Sequence, residues 1–243
     1  MNGPARLGVI LPTSNRMIEP QFYRYAPSGL AVHFERARIT GRWHAPIKDL
    51  AAEVSRAAAT LADARPDLIL FNCTGTSMQE GREGDAFLLG VIKKETGIAA
   101  VSTATAVSQA LAALHLNKLV LVTPYVQATN DHEKDYLQEC GIEVVHDVAL
   151  GLKGGDQFIT VHQNTWIETA CGNDRTEASG FFLSCTNTSQ IEAIQTIEAR
   201  TGKPVISSNQ AALWYCHALL QKNYPALDKP PLPDRKSTRL NSS

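Results

Sequence analysis

Apolar and polar positions along the chain follow two alternating rhythms. Short runs that are apolar throughout, Leu7–Leu11, Leu68–Phe71, Leu119–Val122 and Gly180–Leu183, predict strands buried on both faces, as in a parallel sheet. Between them, apolar residues recur at helical spacing. This predicts helices over Met17–Tyr25, Ile47–Ala64, Ala86–Glu95, Ala128–Glu139, Thr165–Asp174 and Gln190–Arg200. Two more are opened by Ser102-Thr103 and by Ser207-Ser208, ending near His115 and Leu220. Thr13 and Ser14 are N-cap candidates for the first helix. Ala31–Ile39, Ala99–Val101 and Ile142–Ala149 read as further strands. Strand and helix in this alternation predict an α/β chain whose parallel sheets carry helices on both faces.

The rhythm runs twice. Leu68–Ser77 reads Leu-Ile-Leu-Phe-Asn-Cys-Thr-Gly-Thr-Ser, and Gly180–Ser189 reads Gly-Phe-Phe-Leu-Ser-Cys-Thr-Asn-Thr-Ser, with the cysteines 185 − 73 = 112 residues apart. Leu7–Leu11 matches Lys118–Val122, and the Thr96-Gly element matches Thr201-Gly at 201 − 96 = 105. Three correspondences at nearly one offset indicate an internal duplication. The expected domains are two similar α/β halves, 1–116 and 117–224, with the last helix (208–221) a candidate to pack back on the first half. Residues 225–243 are Pro-rich and then polar, and read as a disordered tail. Its end, Lys236–Ser243, reads as a non-native extension.

Composition narrows the function classes. The 243 residues carry a net charge of −1 with Lys and Arg scattered, which gives no basic patch for nucleic acid or a membrane surface. No apolar run approaches the length of a membrane span, so a cytoplasmic protein is expected. The five cysteines (73, 140, 171, 185 and 216) have neither C-x-x-C spacing nor a neighbouring histidine at ligand spacing. Free thiols follow, with no disulfide framework and no structural zinc. Gly151–Asp156 lacks phosphate-loop spacing and reads as a flexible loop at a cleft mouth. Glu80–Glu83 reads as a solvated loop, with Gly75, Gly81 and Gly84 as hinge candidates.

Cys140, Cys171 and Cys216 read as small buried hydrophobes. Cys73 and Cys185 differ, because each leaves an apolar strand at its carboxyl end, where open α/β sheets place ligands. The Thr, Ser, Gly and Asn residues that follow offer N–H and hydroxyl donors able to hold an anion or a thiolate. If the halves face one another, the two thiols flank a small ligand. That arrangement suits acid/base work on opposite faces of one carbon, or addition at one face with proton handling at the other.

Together the strand–Cys–Thr repeats, Pro12-Thr-Ser-Asn15, Thr123-Pro-Tyr125 with Asn130, and Thr201-Gly to Ser207-Ser208 resemble the aspartate/glutamate racemase superfamily. The similarity runs from about Leu7 to Leu220 and points to the maleate cis-trans isomerase and arylmalonate decarboxylase branch. This resemblance implies two pseudo-symmetric halves with the site in the cleft between them, a small carboxylic-acid substrate, no cofactor, no metal, and a homodimer. It also implies Cys73 as nucleophile and Cys185 as its partner. Ser14, Asn15, Thr74, Gly75, Tyr125, Asn130, Thr186 and Asn187 would then bind the substrate. The decarboxylase branch keeps only the second cysteine and follows it with an apolar stretch, whereas Thr186-Asn187-Thr188-Ser189 is polar here. The resemblance therefore favours a two-thiol isomerase of maleate type. An amino-acid or hydantoin racemase, a decarboxylase using Cys185 alone, and a non-catalytic acid-binding or thiol-redox protein stay open as alternatives. Arg16 and Met17, which follow Asn15, and Asp156 depart from the residues usual in the isomerases.

Overall fold

The computed structural model describes residues 3–39 and 45–228. The chain builds two four-stranded sheets, parallel throughout. The first contains β1 (Ala5–Pro12), β2 (Leu30–Ala37), β3 (Leu68–Phe71) and β4 (Ala100–Ser102) in the order β2-β1-β3-β4. The second contains β5 (Lys118–Thr123), β6 (Glu143–Ala149), β7 (Gly180–Leu183) and β8 (Val205–Ser207) in the equivalent order β6-β5-β7-β8. The connecting helices are α1 (Ile18–Tyr25), α2 (Ala51–Ala62), α3 (Thr74–Met78), α4 (Gly81–Thr96) and α5 (Thr103–Ala113) in the first part. In the second they are α6 (Gln127–Glu139), α7 (Gly155–Phe158), α8 (Gln163–Gly172), α9 (Ile194–Thr201) and α10 (Ser208–Gln221).

The uninterrupted apolar runs are explained by burial on both faces. Leu7, Val9, Leu68 and Leu70 point into a central core shared with Leu119, Leu121, Phe182 and the helices α5 and α10. Their neighbours Ile10, Ile69 and Phe71 point the other way, under α2 and α4. Val120, Val122, Phe181 and Leu183 do the same under α8 and α9. Each such fully buried aliphatic or aromatic side chain contributes roughly 1.5–3 kcal/mol, so the sheets are fixed from both sides. Helix α10 packs on α5, α1 and β3 as well as on its own β8, which locks the two sheets together. Gly180 is required where β7 begins, since a Cβ there would stand 2.7 Å from the Pro204 carbonyl oxygen.

Several local expectations change. The stretch after Cys73 is a short helix, α3, instead of a loop. Glu80–Glu83 is solvated but is not a loop: α4 starts at Gly81, and Glu80 Oε1 accepts the Ile47 N–H at 2.7 Å. The cap of α1 comes from Asn15, whose Oδ1 accepts the Met17 and Ile18 N–H groups, both at 3.0 Å, and not from Thr13 or Ser14. The chain beyond Leu220 begins packed, with Leu227 buried in the central core beside Gly29. Residues 229–243 of the expected tail, with Lys236–Ser243, lie outside the described residues. Among the described residues, no helix is long and apolar enough to cross a membrane.

Candidate active site

β3 and β7 run parallel to their neighbours and deliver Asn72-Cys73 and Ser184-Cys185 to the same place. Both thiols line one cavity of about 320 Å³. Their backbones differ. Cys73 is ordinarily extended at φ −150°, ψ 103°, one residue ahead of α3. Cys185 has φ +121°, a region that favours glycine. The Cys73 Sγ is hydrogen-bonded to the Thr76 hydroxyl at 3.2 Å, whereas the Asn187 N–H donates to Cys185 Sγ at 3.3 Å. Ser208, the first residue of α10, ties the two loops together. Its Oγ accepts the Thr74 hydroxyl at 2.8 Å and the Cys185 N–H at 3.1 Å.

Of the residues expected in the site, Ser14, Asn15, Gly75, Tyr125, Thr186 and Asn187 line the cavity with the two cysteines. Asn15 Nδ2 donates to Thr186 Oγ1 at 3.2 Å, and Asn187 Oδ1 accepts the Arg16 N–H at 2.9 Å. These bonds tie the loop after β1 to the loop after Cys185. Arg16 and Asp156, two of the departures, pair with each other across the exposed mouth. Thr74 and Asn130 are not among the residues that line the cavity. The Thr74 hydroxyl is committed to Ser208, and Asn130 is wholly buried, bonded to the Thr123 hydroxyl and to Asp147.

Tyr125 serves both the core and the cavity. Its ring is buried edge-on against Phe158, with centroids 5.4 Å apart and planes at 75°. Its hydroxyl is hydrogen-bonded to the Cys185 thiol. A Cβ on Gly75 would lie 3.9 Å from that hydroxyl, so it sits between the two cysteine loops.

Burial dominates the electrostatics. It pushes the Cys185 thiol up to about 12, against the opposing pull of the Tyr125 hydroxyl and the Asn187 N–H. Burial also raises Cys73, opposed by the Thr76 hydroxyl and N–H. Both thiols therefore carry their protons at neutral pH. Among the described residues, Lys153 is the single charged side chain in the lining. Among the described residues, no group of three or more His, Cys, Asp or Glu is arranged to hold a metal ion.

The sequence reading missed most of the apolar wall, formed by Tyr125, Val126, Leu152 and Phe158. Leu152, Lys153 and Gly155 come from the glycine-rich loop already placed at the cleft mouth, which was the available signal. It also missed a buried polar belt under the cavity. Asn209 Nδ2 donates to Gln21 Oε1 at 2.6 Å and to the Thr186 carbonyl at 2.9 Å, and Asn72 Nδ2 donates to Asn209 Oδ1 at 3.3 Å. Asn72 and Ser184 precede the two cysteines at matching positions, and that repeat could have flagged them. Glu133, wholly buried on α6, gave no sequence signal.

Comparison with known proteins agrees with this geometry. The maleate isomerase of Geobacillus stearothermophilus is 25% identical over 223 residues, covering 86% of this chain and 89% of that protein. The arylmalonate decarboxylase of Bordetella bronchiseptica is 27% identical over 143 residues, covering 58% and 60%. Among solved structures, a Nocardia farcinica maleate cis-trans isomerase mutant with a covalently bound succinylcysteine intermediate superposes with a TM-score of 0.83. It shares 21% identity and covers 90% of this chain and 94% of its own. A crystal structure of arylmalonate decarboxylase gives 0.81 at 21% identity, covering 98% and 100%. The family model described as arylmalonate decarboxylase matches residues 4–229, nearly the whole sequence, and the chain belongs to that family.

Proposed function

We propose that the protein is a cofactor-independent isomerase of a small cis-enedioic acid, acting through Cys73 and Cys185. The observation that carries this reading is the pair of thiols in one cavity, each following a strand of a different sheet and each with its own hydrogen-bond partner. The Cys73 sulfur, as thiolate, adds to one alkene carbon. A C–S bond forms, the π bond breaks, and Cys185 gives its proton to the adjacent carbon. The central bond is then single and rotates. Cys185 takes a proton back, the C–S bond breaks, and the trans acid leaves with the Cys73 thiolate restored. The Asn15, Thr186, Asn187 and Tyr125 donors hold the carboxylates and stabilise charge that develops on them.

The apolar wall favours a second reading. Val126, Leu152 and Phe158 make most of one side of the cavity, and such a wall suits an arylmalonate losing carbon dioxide with Cys185 as proton donor.

NMR in deuterated water with maleate, aspartate and an arylmalonate as separate substrates distinguishes the outcomes. Fumarate formation supports the isomerase, exchange at the aspartate α-carbon supports a racemase, and a deuterated arylacetate supports the decarboxylase. No change in any of them removes all three. Under the isomerase reading, Cys73→Ala and Cys185→Ala each lower turnover by orders of magnitude with the melting temperature retained. Near-normal turnover in either variant sinks the two-thiol scheme.

A further inference from the structure

Behind the two thiols lies a carboxyl group that the reaction scheme does not use. Glu133 projects from α6 and has no exposed surface. Its Oε1 accepts the Ser184 hydroxyl at 2.9 Å, and its Oε2 has no hydrogen-bond partner among the described residues. An ionised carboxylate buried with a single neutral donor is strongly disfavoured, while a carboxylic acid in the same place is not. Ser184 adjoins Cys185, and its carbonyl is itself held by Gln190 Nε2 at 2.6 Å. Glu133 and Gln190 therefore grip the residue that precedes the strained φ of Cys185 from two sides.

We propose that Glu133 is a positioning residue for Cys185 that works as an uncharged acid, and that its ionisation would suppress thiolate formation at both cysteines. The titratable groups that its charge reaches are Cys73, Cys185 and Tyr125. Lys134, next to it on α6, is paired with Asp131 and Asp147 and gives it no counter-charge. From α4, Asp85 is bonded to Thr105, and Arg82 binds Glu139 through its N–H. Burial raises the Glu133 carboxyl to about 8, the direction the geometry requires. The proposal concerns thiol reactivity and holds for any of the reactions considered above.

The test is the pH dependence of iodoacetamide labelling at Cys73 and Cys185, read by peptide mass spectrometry in the wild type and in Glu133→Gln. The amide keeps the acceptor for Ser184 and cannot ionise. Labelling at pH 7 should match the wild type within about twofold, and at pH 9 it should be roughly threefold faster or more, because no neighbouring anion opposes the thiolates. Identical profiles at both pH values overturn the proposal. So does slower labelling of the variant at every pH, which would make Glu133 a base for the thiols. Glu133→Leu, which leaves the Ser184 hydroxyl unpaired, should lose Cys185 labelling that the Gln variant keeps. Should the Gln variant fail to fold, carboxyl ¹³C NMR of the wild type decides. One glutamate must titrate near 8, and all of them titrating in the ordinary range refutes the idea.

Discussion

Tyr125→Phe separates what the ring does from what the hydroxyl does. The ring is buried, and its edge-to-face contact with Phe158 survives the substitution unchanged. Stability should therefore stay within about 0.5 kcal/mol, as expected when no packing surface is lost. The hydroxyl is another matter. It hydrogen-bonds the Cys185 sulfur and favours the thiolate, and it is the largest of the influences that oppose burial there. A hydrogen bond to a charged group contributes about 1.5–3 kcal/mol. At 1.36 kcal/mol per pKa unit this moves the Cys185 thiol up by about one to two units, and slows any step that needs the thiolate roughly tenfold to a hundredfold. The Phe variant should lose that factor in Cys185 labelling between pH 7 and 9, where the thiolate is the minor form, and much less at Cys73, whose thiolate is favoured by the Thr76 hydroxyl and N–H instead.

The assay is iodoacetamide labelling followed separately at the two cysteines, with the melting temperature measured alongside. Cys185 labelling indistinguishable from wild type, at unchanged melting temperature, would refute the role of the hydroxyl. A melting temperature lowered by many degrees would show that Tyr125 matters through packing instead.

Other consequences follow from the same contacts. Ser208→Ala removes the acceptor shared by the Thr74 hydroxyl and the Cys185 N–H, both buried, and should cost about 1–3 kcal/mol. At roughly 2–4 °C per kcal/mol for a chain of this size, calorimetry should show a clear drop, and an unchanged transition would refute the bridge. Gly155→Ala puts a Cβ 2.9 Å from Ser14 Oγ and 3.2 Å from Asn187 Nδ2, so the cleft must spread; we expect about 1–3 kcal/mol lost in chemical denaturation together with a raised KM. The Glu133 carboxyl rises from its ordinary 4.5 to about 8 in the folded chain. The native state then holds the extra proton between those values, and its contribution to stability falls as pH rises through that window. Glu133→Gln should gain on the wild type from pH 4.5 to 8 and level off above, by at most on the order of 5 kcal/mol; parallel stability curves for the two proteins would show that no such titration occurs.

The fold was legible because its signal is carried by whole segments. An apolar run such as Leu68–Phe71 can be buried on both faces only in a covered parallel sheet, and the repeated Cys-Thr ending marked the duplication. Short-range errors arose where side chains replaced backbone partners. Asn15 caps α1 from outside it, and Glu80 fixes the approach to α4 by binding Ile47, a residue 33 positions away. The site was legible where residues adjoin the cysteines, and much less so where they arrive from elsewhere. Leu152 comes from the loop after β6 and Phe158 from α7, and Gln21 and Asn209 are 188 residues apart. Glu133 is the extreme case. On its own helix it is one acidic residue among several, and only three-dimensional burial reveals it.

The duplication makes the sheets alike, but the two thiols are not alike, and this difference bears on the chemistry. Cys73 sits in relaxed backbone and finds its hydrogen-bond partner, Thr76, in the short helix that follows it. Arg65 and His115, the other non-glycine residues at positive φ, lie at 49° and 56° just past helix ends, close to the ordinary left-handed well. Cys185, at 121°, is far from it, and a residue held so costs about 1–3 kcal/mol. Such strain persists only where the surroundings fix the conformation, and here they do so at every polar atom. Ser208 accepts its N–H, the Thr188 hydroxyl donates to its carbonyl at 3.3 Å, and the Asn187 N–H holds its sulfur. Ser184, just before it, is gripped by Glu133 and Gln190. A thiol that adds to carbon can tolerate some freedom, because the new bond fixes it. A thiol that delivers a proton to one face of a carbon has no bond to guide it and must be aimed beforehand. Under the proposed two-thiol scheme, the strained and pinned member of the pair is the one suited to move the proton, and the two strand ends differ in backbone at the residues to which that scheme gives different roles.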